Sequence, residues 1–302
     1  MIAILGSGAM GSVFGGKLAE AGEDVVLIDP WREHVEEIND RGLGIEGVGG
    51  TRRIRIKAVT SPQQVEDEVK LIIVFVKSQQ TETAVKGAAQ IIEDDTLVMT
   101  LQNGLGNAET IAKIVGVERT MAGVTANGAT LLGPGNVRHV ALGDTTIGSL
   151  SGKITNIEEI AHILTKAGLP TKLSDDVREE IWGKLIVNVG INALTAVLRV
   201  PNGYLVEHKS TEKLLEMAVK EAMEVSRAEG IELKDDPLVH CKMVAENTAK
   251  NLSSMYQDVT NRRRTEIDYI NGAIARGGKK YGIKTPVNEI LVKLVKAIEE
   301  GY

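Results

Sequence analysis

Apolar runs and helix-like spacings alternate along the first half of this chain, and helical spacing alone fills the second. Met1–Leu5 is a short apolar run. A glycine-rich hexapeptide follows, then helical spacing through Ala21, closed by Gly22. Asp24–Asp29 (DVVLID) reads as a second strand, with a helix over Arg32–Arg41 after it. Leu71–Val76 (LIIVFV) is continuously apolar, as a strand buried on both faces of a parallel sheet must be. A helix over Thr81–Ile92, a strand over Thr96–Leu101 and another over Arg119–Thr125 extend the alternation. Val137–Ala141 and Thr145–Ser149, joined through Leu142-Gly143-Asp144, read as an antiparallel hairpin. A helix over Ile157–Ala167 and a strand over Thr171–Leu173 come next. From Asp175 onward strand signals vanish. Helices are predicted over Val177–Leu198, Thr211–Glu229, Pro237–Ala249, Glu266–Tyr281 and Asn288–Glu299. The pattern gives an α/β N-terminal domain, residues 1–170, and an all-α C-terminal domain, residues 171–302.

The hexapeptide is Gly6-Ser7-Gly8-Ala9-Met10-Gly11, placed directly between a strand and a helix. A lone G-x-G-x-x-G is a weak signal. In a strand–turn–helix–strand unit it marks a Rossmann-type dinucleotide site, where backbone approaches the pyrophosphate and a helix N-terminus meets its charge. Asp29, ending the second strand, is positioned to accept hydrogen bonds from the adenosine ribose, which favours NADH. Arg32 is within reach of the extra phosphate of NADPH, so the expected cofactor is NAD(P)H with NADH slightly ahead. The plain alternative for Asp29 is a cap on the helix that starts at Arg32. Lys77 and Asn103 end their strands on the edge where such sheets bind ligands. Asn103-Gly104 also reads as an ordinary turn.

The second half carries a polar stripe inside an apolar helix. In Ile181–Leu198 (IWGKLIVNVGINALTAVL), Lys184, Asn188 and Asn192 recur every four residues and share one face at ~100° per residue. Asn is a poor helix former, so a mere solvent face would be built from Glu, Lys or Arg. Buried ammonium and amide groups need partners, and an oxygen-rich ligand would supply them. A narrow wet face is the bland alternative.

Composition narrows the classes. With 302 residues there is ample core for two domains. The net charge of −6, from 35 basic and 41 acidic residues, argues against a nucleic-acid face. Arg262-Arg263-Arg264 is too short to change that. No stretch is expected to approach the ~18–20 apolar residues of a membrane span, and no leader is visible, so a cytoplasmic protein is expected. Cys241 stands alone, and His34, His139, His162, His208 and His240 are scattered, so neither a disulfide nor a metal site is expected.

Several separate motifs stand in order along the chain: GSGAMG (6–11), LQNG (101–104), GATLLGPGNVRHVALGDTTIG (128–148), the helix from Trp182 to Asn192, SSMYQD (253–258) and TEIDYINGAI (265–274). Together they resemble the ketopantoate reductase (2-dehydropantoate 2-reductase) family over essentially the whole chain. The resemblance implies a Rossmann domain followed by a helical domain of 6-phosphogluconate-dehydrogenase-like architecture, with the site in the cleft between them. It further implies NAD(P)H-dependent reduction of ketopantoate in pantothenate and coenzyme A biosynthesis, and a homodimer. By matching position, Lys184 would be the catalytic acid and Glu266 its partner, while Asn103, Asn188, Asn192 and Ser254 would hold substrate. Lys77 matches a lysine near cofactor and substrate. There are two departures. Pro30 stands where the family's cofactor arginine is expected, and Ala126-Asn127-Gly128-Ala129 replaces a T-H-G-A pattern. The competing expectations are a related dehydrogenase for another 2-keto or 3-hydroxy acid and a non-catalytic dinucleotide sensor. The sensor would have no need of Lys184, Asn188, Asn192 and Glu266 together.

Overall fold

A computed structural model describes all residues except Lys153, Thr155 and Lys234. The described residues form two compact units. One comprises residues 1–102 and 107–177, the other 103–106 and 178–302.

The first unit is built on β1 (Ile2–Leu5), α1 (Ala9–Glu20), β2 (Val25–Ile28), α2 (Arg32–Arg41), β3 (Leu43–Gly47), β4 (Arg52–Ile54), β5 (Lys57–Val59), β6 (Leu71–Val74), α3 (Thr81–Gly87), β7 (Leu97–Thr100) and α4 (Asn107–Val115). It continues through β8 (Thr120–Thr125), β9 (Gly128–Gly133), β10 (Asn136–Ala141), β11 (Thr145–Ser149), α5 (Ile157–Lys166) and β12 (Thr171–Leu173). The main sheet has the order β12-β11-β8-β7-β6-β1-β2-β5, with only the β8–β11 pair antiparallel. Strand order reverses between β1 and β6, the switch point where such sheets bind ligands. The central strands β1, β2 and β6 are buried at every residue, which is why they read as unbroken apolar runs.

A second sheet, ordered β4-β3-β10-β9, covers the outer face of α1. Gly15 of α1 lies against Leu27 of the main sheet, and Gly16 against Ile45 and Leu43 of the small one. Glycines at both contacts let the helix sit tightly between two layers.

Three features of this unit differ from the sequence expectation. Val137–Ala141 and Thr145–Ser149 do not form a hairpin: β10 pairs with β9 and β3, whereas β11 pairs with β8 and β12. The turn of the true hairpin is Pro134-Gly135, with Gly135 at φ +66°. Residues 142–144 instead carry the chain from one sheet to the other. The strands β3, β4 and β5 leave no clear sequence signal, because they are short and only partly apolar. Finally, β12 pairs with β11, so the first unit runs to Val177 rather than ending at 170.

The second unit holds α6 (Val177–Leu198), α7 (Tyr204–Glu207), α8 (Lys209–Ala228), α9 (Pro237–Asn247), α10 (Ser254–Thr260), α11 (Asn271–Tyr281) and α12 (Pro286–Glu299). Their shared core includes Trp182, Leu185, Ile186, Val189, Val219 and Ile274. The sequence-predicted helix Glu266–Tyr281 is broken. A 3-10 turn spans Ile267–Tyr269, Ile270 departs to φ −106°, ψ −95°, and only then does α11 begin. In SSMYQD, Ser253 caps α10 and the rest of the motif lies within that helix. The expectation that no segment approaches a membrane span also needs correction: α6 has the length and apolarity of one. However, 61% of its most apolar window is buried within the protein, as befits a core helix.

Candidate active site

In the first unit, the glycine turn sits at the end of β1. Gly6 has φ +97°, and a Cβ there would lie 2.6 Å from the Val76 amide nitrogen. A Cβ on Gly11 would collide with the Gly6 carbonyl. Gly8 differs, because a Cβ would meet nothing within 4 Å. Two glycines therefore close the turn on itself, and the third leaves clearance beside the backbone. Ser12 Oγ donates to the Ser7 carbonyl at 2.7 Å and pins the turn from α1. The helix starts at Ala9 with no side-chain cap from Gly8, so its first amides look outward for an acceptor. The Ser7 hydroxyl is buried without a partner among the described residues. An uncapped N-terminus, clearance at Gly8 and an unsatisfied hydroxyl fit a pyrophosphate. Ala9 and Met10 are half-buried beside it.

Asp29 follows β2, and its Oδ1 accepts the Trp31 amide at 3.0 Å. One oxygen of this carboxylate ties the entry to α2, and the other has no hydrogen bond to a described residue. Arg32 is exposed. Trp31 stacks on buried His34, ring centroids 5.2 Å apart. His34 Nδ1 accepts the Gly135 amide at 2.9 Å, and burial pushes its pKa down. His34 is structural, linking α2 to the hairpin turn.

Lys77 stands just beyond β6, adjoining the glycine turn through Val76. A polar network that sequence reasoning missed fixes this edge. Gln102 Nε2 donates to the Val76 carbonyl at 2.5 Å and to Thr81 Oγ1 at 2.9 Å. Asn107 Nδ2 donates to Ser78 Oγ at 3.1 Å, and Thr81 Oγ1 donates to Asn107 Oδ1 at 3.0 Å. The residues are ordinary turn types, and only their convergence in space reveals them.

In the second unit, α6 holds Lys184, Asn188 and Asn192 on one face, as the four-residue spacing requires. Lys184 keeps some solvent-exposed surface, yet dense packing desolvates its ammonium and lowers its pKa to about 8. The Glu266 charge opposes that shift, which sets the carboxylate near the ammonium. Glu266 is itself buried, at the start of the broken helix. Asn192 is buried and Asn188 half-buried. Neither side-chain amide hydrogen-bonds a described residue. The Ser254 hydroxyl is exposed at the start of α10 and equally unpartnered among them. Segment 103–106 belongs to this unit, where the Leu105 amide donates to the Tyr269 carbonyl at 2.9 Å. Asn103 is thereby carried to the turn that bears Glu266. The second unit thus gathers Lys184, Glu266, Asn103, Asn188, Asn192 and Ser254, and the first gathers the glycine turn, Asp29, Arg32 and Lys77.

The departure at Asn127 has a local account. Its Nδ2 donates to Thr125 Oγ1 at 2.9 Å and to the Gly143 carbonyl at 2.8 Å, while Oδ1 lies 2.9 Å from His139 Nε2. The side chain ties the sheet crossing at 142–144 to β10.

Comparison with known proteins places the whole chain. Residues 2–152 match the family model described as ketopantoate reductase PanE/ApbA, and residues 176–299 match its C-terminal counterpart. A 2-dehydropantoate 2-reductase of Pyrococcus horikoshii is 41% identical over 302 residues, covering 99% of this chain and 97% of its own. One from Halobacterium salinarum is 36% identical over 296 residues, covering 98% and 97%. Among solved structures, D-mandelate dehydrogenase with NADH and anilino(oxo)acetate superposes with a TM-score of 0.94 at 38% identity, covering 99% and 98%. A ketopantoate reductase of Ralstonia eutropha JMP134 superposes at 0.93 and 35% identity, with the same coverage.

Proposed function

The chain belongs to the ketopantoate reductase family, and from that premise we propose that it reduces the 2-keto group of ketopantoate to give pantoate. The observation that carries the proposal is the set of polar side chains Asn188, Asn192 and Ser254, unpartnered among the described residues, in the unit that holds a desolvated ammonium. A bound nicotinamide dinucleotide supplies the hydride for the carbonyl carbon. Gly6, Ser7, Gly8, Ala9, Met10 and Gly11 would hold its pyrophosphate, with Lys77 and Asn103 nearer the reacting end.

Lys184 polarises the ketone and delivers the proton to its oxygen. Its lowered pKa suits this task, because an acid working near neutral pH transfers its proton most readily when its pKa lies close by. The nearby Glu266 carboxylate favours the charged form of Lys184 and opposes the effect of burial. Ser254 donates to the substrate carboxylate. Asn188 and Asn192 bond the distal hydroxyl that separates ketopantoate from simpler 2-keto acids, a contact that discriminates strongly against analogues lacking it. In this reading the cofactor is NADH in preference to NADPH, since Asp29 would repel a ribose phosphate. The working assembly is a cytoplasmic homodimer.

The first experiment is ketopantoate-dependent oxidation of NADH and NADPH, side by side. Turnover with either supports the reaction, and faster turnover with NADH supports the role of Asp29. A folded protein that binds cofactor but turns over neither would sink the proposal. A second reading, reduction of an aryl 2-keto acid, draws on the similarity to D-mandelate dehydrogenase. Running benzoylformate, the keto acid that corresponds to mandelate, beside ketopantoate separates the two by kcat/KM.

A further inference from the structure

Thr195 and Ser253 carry no assigned role, yet they meet at the end of the polar stripe. Thr195 follows Lys184 by eleven positions in α6, which sets it ~20° around the helix and ~16 Å along the axis. It therefore continues the line of Lys184, Asn188 and Asn192. Its Oγ1 lies 2.8 Å from Ser253 Oγ, and both residues are buried.

Ser253 Oγ accepts the Tyr256 amide at 3.0 Å, as the N-cap of α10. Thr195 Oγ1 donates to it at 2.8 Å. The same Thr195 hydroxyl also lies 2.9 Å from the Ile191 carbonyl and 3.1 Å from the Asn192 carbonyl within α6. The chain of bonds thus runs from the first turn of α10 to α6. Ser254 is the first residue of α10, directly after the capped position.

We infer that the buried Thr195–Ser253 hydroxyl pair is a positioning device that fixes Ser254 against the Asn188–Asn192 face, and so sets substrate affinity. The inference rests on the proposed contact between Ser254 and the substrate carboxylate. Two residues of unrelated segments meet, and no other side-chain hydrogen bond joins the cap of α10 to α6 among the described residues.

The test is a kinetic comparison of Thr195→Val, Thr195→Ser and Ser254→Ala. Valine keeps the shape and removes the hydroxyl. Loss of one neutral hydrogen bond predicts a KM for ketopantoate raised about 3- to 10-fold in Thr195→Val. The kcat should change by less than about twofold, and the KM for NADH should not move. Thr195→Ser restores the hydroxyl and should restore KM, which a purely structural role for the threonine methyl would not allow. Wild-type KM in Thr195→Val overturns the inference. Should Thr195→Val raise KM while Ser254→Ala leaves it unchanged, the pair does not act through Ser254. That outcome also overturns the inference, and it locates the failure in the reading of Ser254. Thermal unfolding of Thr195→Val beside wild type guards against a misfolded valine variant.

Discussion

The Leu105 amide donates to the Tyr269 carbonyl at 2.9 Å, and this one bond ties the LQNG turn to the segment that carries Glu266. The carbonyl is available because the helix is broken at Ile270. Gly104 makes the approach possible. It sits at φ +85°, and a Cβ would fall 2.5 Å from the same Tyr269 oxygen. Gly104→Ala should therefore cost at least ~1 kcal/mol of stability, because the backbone is left-handed and the space is filled. Activity should fall more steeply than stability, since Asn103 and Glu266 move apart. Urea unfolding and kcat/KM on one preparation check both, and a fully active Gly104→Ala would contradict the account.

The protonation of Lys184 gives a signed pH dependence. The acid must carry its proton at the moment of hydride transfer. With a pKa near 8, kcat should hold at neutral pH and decline as pH rises through about 8. Glu266 raises that pKa, so Glu266→Gln should move the alkaline limb to lower pH. Lys184→Ala should abolish most turnover while cofactor binding persists. A limb that stays in place in Glu266→Gln would disconnect the two residues.

Asp29 offers a test of cofactor choice. One of its oxygens is held by the Trp31 amide, so the carboxylate points from a fixed turn rather than from a mobile loop. Asp29→Asn keeps that bond and removes the charge. The ratio of kcat/KM for NADH over NADPH should drop, chiefly through a lower KM for NADPH, as the repulsion of the ribose phosphate disappears. An unchanged ratio would leave the side chain only its capping role.

How much of this is legible in the sequence differs from element to element. The strands β1 and β6 are, because burial on both faces makes them continuously apolar. The helix α6 is legible to its bounds, since its stripe and its apolar remainder both follow the helical period. By contrast, β3 and β4 form a small sheet against α1, where half-buried residues leave no clean alternation. The false hairpin arises because a strand pattern does not say which sheet it joins. The stripe on α6 stands out in the sequence, but the Thr195–Ser253 pair and the Gln102 network do not announce themselves. Each is a contact between residues far apart in sequence that look like common turn or cap types. Likewise the break at Ile270 comes with a tertiary bond, and no local propensity encodes it.

The face of α6 opposite the stripe explains a glycine in mid-helix. A Cβ on Gly190 would lie 2.6 Å from Cys241 Sγ and 2.8 Å from Val219 Cγ2. Helices α8 and α9 press on α6 here, and only a residue without a side chain fits. Gly normally weakens a helix interior by ~1 kcal/mol relative to Ala, so in open space Gly190→Ala would stabilise. Here overpacking should prevail and destabilise by ~1–3 kcal/mol. Cys241→Ala in the same chain removes the nearer obstacle, so the double variant should recover part of the loss, measured as a coupling energy in urea. The same packing makes the thiol unreactive. Burial pushes its pKa up to about 12, so Cys241 should resist thiol reagents in the folded protein and react once urea unfolds it. Rapid labelling of the native state, or additive stability losses in the double variant, would show that α6 and α9 are not in the tight contact described.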